Sequence, residues 1–176
     1  MTNVNAQIEK MVMAIDEDNA KYILKYHVVK NKIGSVEFLK ERGMNEKAEE
    51  VINEIKKIAE DFGNHFISPS NAKVGDGVTM HLYSDAYAGT VVKVTKSTVT
   101  VQKDKATLDP NWKPEMVAGG FAGHCTNQNE QTYTYERNEN GETVTFRWSD
   151  KYEGYRNNKM GYVLTKGRRE FYDYNY

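Results

Sequence analysis

The chain has 176 residues, 39% of them hydrophobic and 28% charged, with a formal net charge of −1 and a single cysteine. That size fits one domain or two small ones. The near-neutral charge excludes nucleic-acid binding driven by a uniformly basic surface, and one cysteine excludes an internal disulfide, as suits a reducing cytoplasm. Charge is spread evenly: residues 1–70 carry 10 Lys+Arg against 12 Asp+Glu, and residues 71–176 carry 14 against 13. No apolar run approaches the roughly 18–20 residues a membrane span needs. MTNVNAQIEKMVMAI lacks a basic start followed by an apolar block, so a folded soluble protein without a secretory leader is expected.

The first third reads as helical. Ile8, Met11, Val12, Ile15, then Tyr22, Ile23 and Tyr26 recur at steps of three and four and form one stripe. Asp16–Asn19 interrupts it, leaving one long helix or two shorter ones. Gly34 is expected to end this stretch, and Ser35 to cap a short helix over 36–42 that stops at Gly43. Asn45 is expected to cap a third helix carrying Ala48, Val51, Ile52, Ile55, Ile58 and Phe62. Gly63 should close it, and Pro69 should prevent a restart. The glutamates of the first turns of that helix, and Asp16–Asp18, read as solvated positions or, alternatively, as phosphate mimics.

Past residue 72 the period changes to two. Strands are expected over 77–83, 89–95, 98–103, 132–137, 143–148, 162–165 and 170–174. "TKS" is a tight turn between the second and third. Asn140–Gly141 in "NENG" marks a hairpin, and Gly167 a last one. Ten of the twelve tyrosines and both tryptophans lie in this part, where pleated strands pack broad side chains. The architecture implied is α+β: an N-terminal helical hairpin or bundle over 1–68, then an antiparallel small β-barrel or rolled sheet over 72–176.

Residues 104–131, "DKATLDPNWKPEMVAGGFAGHCTNQNEQ", show no clean period. Connections this long are uncommon and are functional or disordered. Trp112 sits between Pro110 and Pro114 with Lys113 beside it. It reads either as an interface anchor on a stiffened segment or as a cover over the end of the barrel. His124–Cys125 could open a nucleophilic site. However, adjacent residues on a strand face opposite ways, no C-x2-4-C or H-x3-5-H pair accompanies them, and His81 is the one other histidine in this half. The expectation is a buried structural cysteine and a loop-end histidine, with no cofactor and no metal. "AGGFAG" lacks the lysine of a P-loop. Basic and aromatic residues interleave from Arg147 to Tyr176, as in a nucleic-acid surface, but glutamates dilute them.

"VGDGVTMHLYSDAYAGTVVKVTKSTVTVQKD" resembles the opening of SH3-like and KOW-type small barrels, in which a glycine bends the second strand and the loop after the first binds RNA or protein. "VGDGVTMHLYSDAYAGTVV", "DPNWKPEMVAGGFAGHCTNQNEQTYTYE", "ENGETVTFRWS" and "KGRREFYDYNY" together resemble a family carried by phages and mobile elements of Firmicutes. The resemblance implies a non-enzymatic anti-defence protein acting in the bacterial cytoplasm. In its most concrete form this is an anti-CRISPR inhibitor that occludes a Cas9-type nuclease, so the partner would be a host protein or ribonucleoprotein. Partner contacts are expected at Tyr83, Tyr87, Trp112, Lys113, Arg168 and Arg169. Direct nucleic-acid binding by the barrel is the second reading, and a cysteine- or metal-dependent enzyme the third.

Overall fold

A computed structural model describes residues 4–119 and 122–175. Tyr176 of the aromatic tail and Gly120 and Phe121 of the glycine-rich stretch lie outside the described residues. The chain forms two compact units, one ending at Asn71 that also takes in Asp150–Glu153, the other made of Ala72–Ser149 and the chain from Gly154 onward.

The first unit has helices α1 (Val4–Ile15), α2 (Ala20–Lys25), α3 (His27–Glu41) and α4 (Asn45–His65). Ile8, Val12, Ala20, Ile23, Val29, Val36, Ala48, Ile55, Ala59 and Phe62 form its buried core; Ile8, Val12, Ile23, Ala48, Ile55 and Phe62 come from the stripes read from the spacing, whose other members pack against it partly buried. The break at Asp16–Asn19 is built around the buried Asn19. Its Nδ2 donates to Asp16 Oδ2 at 2.7 Å, and its Oδ1 accepts from the hydroxyls of Ser68 and Ser70 at 2.9 and 2.6 Å.

Three helix boundaries differ from the sequence expectation. α3 runs straight through Gly34 and Ser35, because Tyr26, with extended backbone at ψ 124°, supplies the break eight residues earlier. Asn45 does not cap α4. Gly43, at φ +71°, ends α3 with Met44 N–H returned to the Leu39 carbonyl at 2.9 Å and its own N–H to Lys40 at 3.0 Å. That paired closure leads straight into α4, with Met44 at the cap position. Gly63 does not close α4 either, since the stacked rings of Phe62 and Phe66, 4.6 Å apart, carry the last turn to His65. A methyl at helical Gly34 would meet nothing within 4 Å. Gly34→Ala is therefore expected to raise stability by about 0.5–1 kcal/mol, read as a higher urea midpoint with unchanged slope.

The second unit contains strands β1 (Gly77–His81), β2 (Ala86–Val94), β3 (Thr98–Lys103), β4 (Lys105–Leu108), β5 (Met116–Gly119), β6 (Ala122–Cys125), β7 (Tyr133–Glu136), β8 (Thr143–Ser149), β9 (Gly154–Asn157) and β10 (Tyr162–Lys166). Six of them close an antiparallel barrel in the order β1-β10-β9-β8-β3-β2. Val78, Met80, Val91, Val99, Val101, Val144, Phe146, Tyr155 and Leu164 are buried, as alternation along half-buried strands requires. At Gly89 a Cβ would lie 2.5 Å from Val101 Cγ1, so the chain crosses there only without a side chain. A register irregularity follows at Val91/Lys93 and bends β2 further. The turn after β2 matches the "TKS" reading, with Thr95 N–H bonded to the Thr98 carbonyl at 2.8 Å.

Two expected hairpins are absent, for one reason. In the closed barrel β8 is flanked by β3 and β9, and β10 by β1 and β9. Neither has an open edge for β7 or for residues 170–174. β7 instead pairs with β4, and β5 with β6, so the stretch expected to lack regular structure contributes to two small ladders outside the barrel. The tail after Gly167 (φ +88°) becomes a strap with a single bridge, Ala86 to Phe171.

Candidate functional site

One end of the barrel is formed by the turn 82–85, the start of β2, the end of β3, the start of β8 and the turn 158–161. Tyr83 stands 90% exposed there, with Leu82 and Met160 also exposed. Leu82 abuts the second turn: its Cδ1 is 3.9 Å from where a Cβ on Gly161 would be. Behind this rim Tyr87 and Tyr162 meet edge to face, with ring centroids 6.2 Å apart and planes at 84°. Tyr87 Oη donates to Asp85 Oδ2 at 3.3 Å, and the Lys103 ammonium sits 3.7 Å from the Tyr87 ring centroid. Burial, and then the charge of Asp85, hold the Tyr87 hydroxyl above its usual acidity range; burial and then Glu142 do the same for Tyr162.

The outer face of β1 and β2 is covered as well. Thr79, Ala86, Ala88 and Thr90 point outward, yet are buried beneath the strap. Thr79 Oγ1 donates to the Gly167 carbonyl at 2.6 Å. Arg168 donates through Nε to Asp104 Oδ2 at 2.7 Å and through Nη2 to Thr90 Oγ1 at 2.8 Å. The Asp104 side chain is 1% exposed. Glu170 Oε2 accepts the Ala88 N–H at 2.7 Å, which ties the strap to β2. Arg169 is exposed, 5.3 Å from the Phe171 ring centroid. Burial, followed by the Arg169 charge, holds His81 below its ordinary value, and its Nε2 pairs with Thr165 Oγ1 at 2.7 Å.

Burial pushes the Glu170 carboxyl above its ordinary 4.5, with Asp104 and Asp85 adding to the shift and the Ala88 N–H and Lys103 opposing it. A raised carboxyl contributes stability that is full below 4.5 and lost as pH rises through the folded-state pKa. Glu170→Gln keeps an acceptor for Ala88 and carries no charge to bury. It is expected to melt above the wild type at pH 7, with the gap closing as the pH is taken below 4.5 in a series of thermal melts.

Side-chain amides hold the strap where a strand ladder would otherwise serve. Gln131 accepts the Tyr172 N–H through Oε1 at 3.2 Å and donates to the Tyr172 carbonyl at 2.8 Å. Gln128 Oε1 accepts the Tyr174 N–H at 2.9 Å. Asn175 clasps Cys125, accepting its N–H at 2.7 Å and donating to its carbonyl at 3.0 Å. Asn127 clasps residues 113–115 in the same two-handed way, at 2.9 and 2.8 Å. The polar run "TNQNEQ" is thus architectural, and its signal in the sequence is the density of amides within five residues.

Cys125 is buried and its Sγ donates to Asn127 Oδ1 at 3.4 Å, while His124, on the opposite side of β6, is exposed. Trp112 packs on Tyr174, with ring centroids 5.5 Å apart. Its Nε1 is buried with no hydrogen-bond partner among the described residues. Lys113 is exposed beside it. Of the six residues expected at a partner surface, Tyr83 and Tyr87 meet at the barrel end. Arg168 is committed to Asp104 and Thr90, Arg169 lies on the strap, and Trp112 and Lys113 belong to the ladder region. Lys103, Tyr162, Leu82 and Met160 join the first pair and carry no local motif of their own. Among the described residues, no three of His, Cys, Asp and Glu gather as metal ligands, and no helix is long and apolar enough to cross a membrane.

These features define a small closed β-barrel with a strapped outer face, in a chain that also carries a four-helix unit. No known family model, no curated protein and no solved structure matches it.

Proposed function

We propose that the chain works by docking on a protein partner through the open barrel end, with Tyr83 as its anchor. The observation that carries this reading is the 90% exposure of Tyr83 at the barrel end that also exposes Leu82 and Met160, on turns fixed by a closed barrel. Exposed apolar side chains gathered at one place mark interaction sites, and aromatic anchors dominate interface energies. The most concrete form of the reading is an anti-CRISPR protein of a phage or mobile element that occludes a Cas9-type nuclease. Its support is the sequence resemblance described above.

The test pairs two measurements. Guide-loaded Cas9-type nucleases are assayed for DNA cleavage with the purified protein added first, and partner capture from host lysate is quantified for wild type and Tyr83→Ala. The expected result is suppressed cleavage by the wild type. Tyr83→Ala should capture at least tenfold less partner with an unchanged melting temperature. Cleavage that proceeds undisturbed removes the nuclease form of the reading. Equal capture by the two proteins removes the barrel end as the docking site.

A second reading, binding of nucleic acid, has one observation in its favour. Arg147 and Arg156 are direct cross-strand partners on β8 and β9, so two guanidinium-bearing positions stand side by side on the outer face of the barrel. A complex whose affinity falls steeply between low and moderate salt supports it.

A further inference from the structure

We infer that the barrel end is a receptor for a cationic side chain of the partner, arginine above all, and that Lys103 is the chain's own stand-in for it. This rests on the docking reading above and adds the chemistry of the group received. The face of the Tyr87 ring already holds an ammonium at 3.7 Å, the position in which a cation gains most from the ring quadrupole. Tyr162, at 84° to it, supplies a second wall. Asp85 touches the Tyr87 hydroxyl, Glu142 acts on Tyr162, and Glu170 acts on Tyr87 and Lys103. Asp85, in contact with the Tyr87 hydroxyl, therefore puts a carboxylate beside the ring that holds Lys103.

Lys103 is also an exchangeable occupant. Among the described residues, no carboxylate lies within ion-pair distance of its Nζ, so the ring, and not a salt bridge, holds the head group. Its stem is long and flexible, and the residue as a whole is half-buried, so the ammonium can swing into water with little loss. An incoming guanidinium gains more than Lys103 gives up. It is planar, less strongly hydrated, stacks on the ring and offers a fork of donors to Asp85 or Glu142. The exposed rim of Leu82, Tyr83 and Met160 would then pack on the apolar stem of the arriving residue and its neighbours.

The experiment uses the full chain and three probes: Nα-acetyl-arginine N-methylamide, the lysine analogue and the uncharged norleucine analogue. Binding is read from NMR shifts of the Tyr87 and Tyr162 rings in the wild type, Lys103→Met, Lys103→Gln and Tyr87→Leu, with folding checked by the remaining amide spectrum. The expected result is a saturable shift with the arginine probe, reached at about two- to fivefold lower concentration once Lys103 is replaced. The norleucine probe should give no shift, and Tyr87→Leu should abolish the response. Equal responses to arginine and norleucine would mean an apolar site and overturn the cationic ligand, while leaving docking through Tyr83 intact. No saturable shift in either folded Lys103 variant overturns it as well. Loss of partner capture is measured separately with Tyr83→Ala, so failure of the docking reading shows there and not in the probe titrations.

Discussion

Arg168→Ala is expected to cost about 3–5 kcal/mol of stability, the largest effect of any single substitution considered. Asp104 is a carboxylate whose side chain is 1% exposed, and its compensation comes from the Arg168 Nε at 2.7 Å and the Thr90 hydroxyl at 2.7 and 3.0 Å. Removing the guanidinium leaves a buried charge with one neutral donor. Arg168 also explains its neighbour Gly77, where a Cβ would lie 2.4 Å from Nη1: the guanidinium lies flat on the bare backbone. Against a total stability of about 5–15 kcal/mol, the loss should appear as a shift of the urea midpoint well beyond 1 M in a domain of this size. Adding Asp104→Asn to Arg168→Ala should restore most of it, since the amide needs no counter-charge and still meets Thr90. A midpoint for Arg168→Ala within 0.3 M of the wild type would show that water, and not arginine, solvates Asp104.

Arg168 also shows what the sequence disclosed and what it withheld. Lys166, Arg168 and Arg169 beside four aromatic residues read as a surface, because a local window shows charge density and not the partner across the fold. Asp104 lies 64 residues away. Periodicity, by contrast, is a local property. The stripe from Ile8 to Tyr26 disclosed the first two helices, the alternation of Val78 and Met80 disclosed the first barrel strand up to His81 while Leu82 falls in the turn beyond it, and the "TKS" turn fixed the β2–β3 pairing. Closure is not local. Whether β8 accepts β7 or β3 depends on which strands have already used its two edges, so "NENG" was legible as a turn and illegible as to what it joins. Tyr83 was expected as the last residue of the first strand; that strand stops two residues earlier at His81, which leaves Tyr83 in the turn. Lys103 was not singled out, although the β2–β3 hairpin by itself sets it opposite Gly89, two residues along the strand from Tyr87.

The amide clamps were hidden for another reason. Asn and Gln occur throughout loops, and their composition alone says turn or surface. Gln131 on Tyr172 and Asn175 on Cys125 each satisfy one N–H and one C=O of a segment that has no strand beside it. A buried or half-buried backbone must find such partners somewhere. Where a closed barrel offers no free edge, side chains that carry both a donor and an acceptor in the geometry of a peptide group are the ones that can supply them.

Gly141→Ala is expected to destabilise by about 2–3 kcal/mol, while Asn140→Ala should stay within about 0.5 kcal/mol. A two-residue hairpin would need positive φ at both positions, and would make both substitutions costly. Neither residue has positive φ in the structure. What Gly141 provides is approach: a Cβ there would lie 2.1 Å from the Lys103 carbonyl oxygen and 3.0 Å from that of Asn138. Both obstacles are backbone and cannot swing aside. Asn140 is exposed, and its main-chain N–H, which the substitution keeps, meets Asn138 Oδ1 at 3.2 Å. The displaced strand end is the one that carries Lys103 and bonds through its N–H to the Glu142 carbonyl at 2.9 Å. The added methyl should therefore move the ammonium off the Tyr87 ring and disturb the aromatic end of the barrel, visible as altered Tyr87 and Tyr162 ring shifts. Unchanged ring shifts together with a wild-type urea midpoint would show that the turn yields without moving β3, and that the barrel end is not held in place from this side.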